Sequence, residues 1–268
     1  MLRNGEQLLV TVVLPLLALV GVHVTGLLDA ARSGLELAHA PKDAPIGFAG
    51  YSQGGGASLS AAEYAERYAP DLNVAGTYAG APPTDLPETM RSIDGSAIAH
   101  VLGYAINGFS ERSPEFRDAV LAELNPRGID FLRSAATSCT GDSVLMWGFT
   151  NTRMLTRTGE SLSEIVERKP VVKETLERQN LGKAVPNAPV MMASSPSDDL
   201  ISHDQVRRTA GAYCSMGGTI DFVAAPGTAT IPRTGIDHAV PLYLEMPVGL
   251  QYLFDRFEGK PAPTNCTA

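Results

Sequence analysis

Ser52, Asp198 and His238 are the residues whose types, order and surroundings could do nucleophilic chemistry. A serine hydroxyl is a weak nucleophile until a base takes its proton, and an imidazole base needs a carboxylate to fix its tautomer and stabilise the imidazolium. Together such groups transfer acyl groups from carbonyl carbon. Ser52 lies in Gly50-Tyr51-Ser52-Gln53-Gly54, a Gly-x-Ser-x-Gly spacing that follows the apolar run Ala44-Pro45-Ile46-Gly47-Phe48-Ala49 and precedes an Ala-rich helical pattern. A strand that becomes a helix within so few residues lifts the hydroxyl onto a strained turn, and Gly50 and Gly54 omit the Cβ atoms that would collide there. Ser52 then sits at a helix N-terminus. The backbone N–H of Gln53 faces negative charge developing on a bound carbonyl oxygen and is the candidate oxyanion donor.

Five histidines compete for the role of base. His23 and His39 precede the serine, His100 falls in a helical insertion, and His203 follows Asp198 so closely that it reads as the start of a helix. His238, on the loop after the last strand, is the best placed. Asp198 is preferred as the acid because it comes first after its strand, at the carboxyl end that faces the crevice. Asp199 is the rival, with its side chain aimed elsewhere, and Asp237 reads as a solvated loop residue. The order Ser, Asp, His is the one used by α/β-hydrolases, whose nucleophile elbow has this strand–turn–helix context.

The elements that must hold these residues follow the same plan. A helix carries Leu27, Leu28, Ala31, Leu35 and Ala38 on one face, and after the elbow a second runs from Ala57 to Ala69, with Ala61, Tyr64, Ala65 and Tyr68 at helical spacing. A strand is expected from Asn73 to Ala81. Alternation then lapses over residues 85–187, which read as helical: Ser113-Pro114 opens one helix, and Ser161 with Glu164 makes a capping box before another. An insertion of this kind would be a cap or lid over the active site. The sheet pattern resumes with a strand over residues 188–194, a helix over 203–216, a strand over 219–225, and a final helix from about Pro241 to Glu258. The expected fold class is therefore α/β: a mostly parallel α/β-hydrolase sheet built from residues 1–84 and 188–268, with a helical cap over 85–187. Leu8 to Val24 is almost wholly apolar. It is read as a buried strand or helix of the domain, with a signal or anchor segment as the rival.

Composition narrows the function. The chain has 268 residues, 44% of them hydrophobic, enough for a sizeable core. A net charge of −8 and a pI near 5.1 argue against nucleic acid as a partner. The three cysteines, Cys139, Cys214 and Cys266, have no metal-ligand spacing, so neither a metal nor a cofactor is expected.

Several stretches together resemble the secretory lipase family. They are Gly50-Tyr51-Ser52-Gln53-Gly54-Gly55, Tyr68-Ala69-Pro70, Ala79-Gly80-Ala81-Pro82-Pro83-Thr84-Asp85-Leu86, Asp198-Asp199-Leu200-Ile201, Cys214-Ser215-Met216-Gly217, His238 and Asp255-Arg256-Phe257. The resemblance covers roughly residues 26–268 and implies an α/β-hydrolase with a helical cap that acts on acylglycerols or other lipid esters. It assigns nucleophile, acid and base to Ser52, Asp198 and His238. It also implies a Cys214–Cys266 disulfide, hence a secreted or cell-envelope setting, with Cys139 left over and a lipid interface as the working surface. One departure stands out: only 51 residues precede Ser52, fewer than family members carry, and none resembles the loop that gives the second oxyanion N–H. The early strands are therefore expected to be missing, and a catalytically weak or inactive relative is the alternative to an active lipase. Phe109, Phe116, Phe131, Leu132, Met146, Trp147 and Phe149 are candidate lining for an acyl pocket.

Overall fold

A computed structural model describes residues 8–11, 20–228 and 230–266. Five strands form one sheet in chain order: β1 (Leu8–Thr11), β2 (Ile46–Tyr51), β3 (Val74–Gly80), β4 (Val190–Ser194) and β5 (Ile220–Ala224). All neighbours are parallel. Because every connection steps the same way across the sheet, right-handed crossovers put the connecting helices on one face. There α1 (Val20–Leu37) buries Leu27, Leu28, Ala31 and Leu35 against Ile46 and Phe48 of β2 and against Ala61 and Ala65 of α2 (Gln53–Tyr68). Ala38, expected on the same stripe, lies past the end of α1 and is exposed. In backbone terms Leu8 pairs with Ile46 and α1 starts at Val20, while the burial expected of residues 8–24 falls outside the described residues. The side chains of that stretch, and residues 12–19 entirely, lie outside the described residues.

Between β3 and β4 the chain forms seven helices: α3 (Leu86–Ile93), α4 (Val101–Arg112), α5 (Pro114–Leu121), α6 (Pro126–Thr137), α7 (Thr140–Trp147), α8 (Leu162–Arg168) and α9 (Pro170–Glu177). Helices this short are marginal alone, so their ends and packing decide. Asp85, Ser113 and Asn125 accept hydrogen bonds from Glu88, Phe116 and Gly128 backbone N–H groups, and Ser161 with Glu164 forms the expected capping box. Their apolar faces meet in a core separate from those of the sheet, with Ile93, Phe109, Phe116, Phe131, Leu155 and Ile165 inside. Both ends of the helical layer are tied to the sheet side at one knot. Leu181 N–H donates to the Thr84 carbonyl, and the buried Gln205 Oε1 accepts from Thr84 N, Asp85 N and Thr89 Oγ1.

Beyond β4, α10 (His203–Ser215) packs Val206, Ala210 and Tyr213 on the connecting-helix face. On the other face, α11 (Ile236–Phe257) buries Tyr252 and Leu253 against Ala49, Tyr78, Met191 and Ala193. This last helix starts earlier than the expected Pro241. Proline is favoured in a helix's first turn, but here it is an interior residue, and the start is set by Gly235 in the left-handed region (φ 79°). The tail after α11 runs beside β5: Asn265 N–H donates to the Ile220 carbonyl, its side chain exchanges hydrogen bonds with the Phe222 backbone, and Cys266 is disulfide-bonded to Cys214 across 52 residues, with Cα atoms 5.3 Å apart. Cys139 is free and exposed.

Candidate active site

The turn from β2 into α2 is as tight as the glycine spacing predicts. Ser52 occupies φ 56°, ψ −123°, its N–H donates to the Gly80 carbonyl at 2.8 Å, and its own carbonyl accepts from Gly56 N–H at 2.9 Å. A Cβ on Gly50 would stand 2.1 Å from the Gly54 carbonyl oxygen, and one on Gly55 would stand 2.4 Å from that of Gly80. Strand and helix therefore cross in backbone contact. The glycines whose missing Cβ makes room are Gly50 and Gly55; Gly54 contributes the carbonyl that Gly50 must clear. No side chain caps α2, which leaves the N–H groups of its first turn, Gln53 foremost, without intrahelical partners.

His238 lies in the first turn of α11 rather than on a loop, and its ring joins the other two groups. Nε2 is 2.8 Å from Ser52 Oγ, and Nδ1 is 2.8 Å from Asp198 Oδ2. With the imidazole proton on Nδ1 donated to Asp198, Nε2 is the acceptor for the serine hydroxyl. The Asp198 side chain is fully buried and that of His238 nearly so. A buried carboxylate is tolerable only when well bonded. Asp198 Oδ1 meets that condition by accepting from Leu200 N–H at 2.9 Å and Ile201 N–H at 2.8 Å. The backbone just after β4 thus holds one oxygen while the other faces the ring.

Three neighbours hold the base in place, and sequence reasoning gave none of them that role. Asp199 accepts from Gly235 N–H at 2.8 Å and from His238 N–H at 3.2 Å, so it anchors the start of α11. The expectation that Asp199 points away from the imidazole holds; the backbone it grips was not foreseen. Asp237 is a correction. Only 4% exposed, it accepts from Thr228 Oγ1 at 2.6 Å and Thr230 N–H at 2.9 Å, bonds that hold its carboxyl below the usual range and close the preceding loop. Tyr51 donates its hydroxyl to the His238 carbonyl at 2.7 Å, and its ring lies 5.3 Å from the imidazole. Its position beside the serine was the available signal, though the partner lies 187 residues away. Glu245, two turns further along α11, is buried, and desolvation with the nearby charge of Asp198 pushes its carboxyl up to about 7.

A cavity of about 200 Å³ opens at Ser52 and His238. Gln53, Gly56, Ala57 and Ser60 of α2 form its floor, and Met90, Ile93, Leu102 and Leu176 of the helical layer contribute to its roof. Of the seven aromatic and apolar residues expected to line it, Phe109 alone does so. Phe116, Phe131 and Leu132 are packed inside the helical layer, Trp147 packs against that core, and Met146 and Phe149 face outward, 62% and 60% exposed. The lining is mostly aliphatic because α3, α4 and α9 turn Met, Ile, Val, Ala and Leu inward, with Tyr104 and Phe109 of α4 as its aromatic members.

The model of the secretory lipase family matches residues 21–265. Among relatives, a probable inactive lipase of Mycobacterium tuberculosis is 31% identical over 239 residues, covering 87% of this chain and 49% of that protein. A secreted triacylglycerol lipase of Malassezia globosa is 28% identical over 253 residues, covering 91% and 51%. The chain spans about half the length of the curated relatives it matches. Among solved structures, Candida antarctica lipase A superposes with a TM-score of 0.80 at 20% identity, over 92% of this chain and 56% of that one. The rice cell wall degrading esterase LipA of Xanthomonas oryzae gives 0.70 at 15% identity, over 91% and 67%. These superpositions establish the α/β-hydrolase fold, and with the family match over residues 21–265 the chain belongs to the secretory lipase family.

Proposed function

We propose that this chain hydrolyses carboxylic esters of lipid type, acylglycerols included, through an acyl-enzyme on Ser52. The observation that carries the reading is the hydrogen-bonded series Ser52–His238–Asp198, with 2.8 Å at both links, at the mouth of an aliphatic cavity. Ser52 Oγ attacks the ester carbonyl carbon while His238 Nε2 takes its proton. Asp198 stabilises the imidazolium, and the Gln53 N–H donates to the oxyanion. Collapse breaks the bond to the alcohol oxygen, which receives the proton from His238. Water, deprotonated by the same nitrogen, then attacks the acyl carbon and releases the acid and Ser52. In this reading residues 85–187 are a cap over the acyl cavity, and the Cys214–Cys266 bond fits an oxidising, secreted or cell-envelope setting. The named secreted lipases among the relatives support the same location.

The aliphatic lining favours medium or longer acyl chains over acetate. p-Nitrophenyl esters from two to sixteen carbons check this: turnover by the wild type should rise from acetate to the medium chains, and Ser52→Ala should lose it at every length. A steady fall from two to twelve carbons contradicts the preference. A second reading, a weakly active or inactive relative, is favoured by one observation: a relative at 31% identity is named a probable inactive lipase. It predicts cooperative folding with no turnover in either protein.

A further inference from the structure

Helix α2 carries two cavities on one face. Gln53, Gly56, Ala57 and Ser60, at helical spacing from Ser52, line the aliphatic one. Ser60, Glu63, Tyr64 and Arg67 continue the same stripe and line a second cavity with Arg178, Gln179 and Lys183. Ser60, Gln179 and Leu181 belong to both walls. The walls differ in chemistry on either side of these three: hydrocarbon lies toward Ser52, charge lies beyond.

We propose that Ser60, Gln179 and Leu181 frame a rear door to the acyl cavity, and that the site takes esters of long-chain acids bearing a carboxylate at the far end, held by Arg67 and Arg178. The substrate class rests on the hydrolase reading above. Ser60 and Gln179 are only partly buried, and among the described residues neither side chain makes a hydrogen bond, so a polar chain end passing between them finds unused donors. Arg67 is stacked on Tyr64, its guanidinium 4.4 Å from the ring centre, and has no carboxylate within ion-pair distance among the described residues. Arg178 reaches Glu174 only at 3.9 Å. The acidic side chains of this cavity offset that charge only in part: Glu63, which accepts from Gly182 N–H and the Tyr213 hydroxyl, and the exposed Glu66 stand against Arg67, Arg178 and Lys183, which leaves one positive charge in excess.

Length decides which acids qualify. At about 1.5 Å per residue, Ser60 lies about 12 Å along α2 from Ser52 and Arg67 about 22 Å. An extended chain advances about 1.2 Å per bond, so about ten carbons reach the door and about eighteen reach Arg67. An acid of six carbons leaves its far carboxylate in the aliphatic part, where an unpaired charge is expensive. One of sixteen carries it through.

The test compares p-nitrophenyl monoesters of hexanedioic and hexadecanedioic acids with p-nitrophenyl hexanoate and palmitate, below their aggregation limits. The far carboxylate should cost more than about tenfold in kcat/KM at six carbons and less than about threefold at sixteen. Replacing both Arg67 and Arg178 by Ala should lower the hexadecanedioate-to-palmitate ratio by about fivefold. Gln179→Trp should lower both sixteen-carbon esters at least tenfold relative to hexanoate. Binding of the methyl monoester of hexadecanedioic acid and of methyl palmitate to Ser52→Ala protein, read by calorimetry, reports the preference without turnover. An equal carboxylate penalty at both lengths, or binding of the sixteen-carbon monoester more than tenfold weaker than methyl palmitate, overturns the rear door. Absence of hexanoate turnover with the binding preference intact overturns the hydrolase reading instead and leaves the door standing.

Discussion

The floor and the roof of the acyl cavity are built by opposite means. The floor is fixed by backbone: Ser52 in the left-handed region, Gly50 and Gly55 in direct contact with carbonyl oxygens, Asp198 clamped by two N–H groups. The roof is fixed by side chains, since α3–α9 are short helices held by caps and a shared apolar core. The contrast extends to charge. Each region buries a carboxyl or imidazole whose polar atoms have no hydrogen-bond partner among the described residues: Glu245 beneath the floor, His100 in the roof. Burial raises Glu245 to about 7 and lowers His100 to about 4. A raised carboxyl contributes stability that is full below its ordinary value near 4.5 and is lost as pH rises towards 7. A lowered imidazole contributes stability that is full above its ordinary value near 6.5 and is lost as pH falls towards 4. Acid therefore loosens the roof, and neutral pH loosens the floor.

The largest break in the comparison is Asp198→Asn, which strikes the floor without touching the roof. It should lower kcat about ten-thousandfold, because the wrong imidazole tautomer is favoured, while the far-ultraviolet circular dichroism stays unchanged. Next comes the disulfide that ties the tail to α10. Reducing Cys214–Cys266 reopens a 52-residue loop and should cost about 4 kcal/mol of unfolding free energy, measured by urea titration with and without reductant. Glu245 and His100 come third, at about 3 kcal/mol each between the two ends of their pH ranges. Glu245→Gln should flatten the fall in stability between pH 4.5 and 7, and His100→Phe the fall between pH 6.5 and 4. Hydrogen exchange resolved by region separates them, since the acid-side opening should appear in α4 and the neutral-side opening in α11. The smallest effect expected is that of Tyr51→Phe. Losing its bond to the His238 carbonyl should cost about tenfold in kcat, a loss of about one hydrogen bond of orientation.

The floor was largely legible in the sequence because its demands are local. A Gly-x-Ser-x-Gly turn between an apolar run and a helical pattern can satisfy few geometries, and Asp198 is the first carboxylate beyond its strand. His238 was found by elimination, yet its setting was not, because Gly235 and Asp199 start α11 from 36 residues apart and the interior Pro241 imitated a helix start. Asp237 reads as solvated in the sequence for the same reason: its threonine partners are recognisable only once the loop has closed. The roof gave up its helices through Ser113, Ser161 and Glu164, which act within three residues. Its lining stayed hidden, because which face of a helix looks into the cavity depends on how seven short helices pack. Size drew attention to the aromatics, and the structure puts most of them elsewhere.

What the floor delivers, in the reading proposed above, is an activated serine. A fluorophosphonate probe phosphonylates such a serine and nothing else in the site, so intact-mass analysis followed by peptide mapping tests it directly. One adduct per chain is expected, on the peptide containing Ser52, absent from Ser52→Ala and strongly slowed in His238→Ala. Folded wild-type protein that remains unlabelled, or equal labelling of wild type and Ser52→Ala, contradicts it.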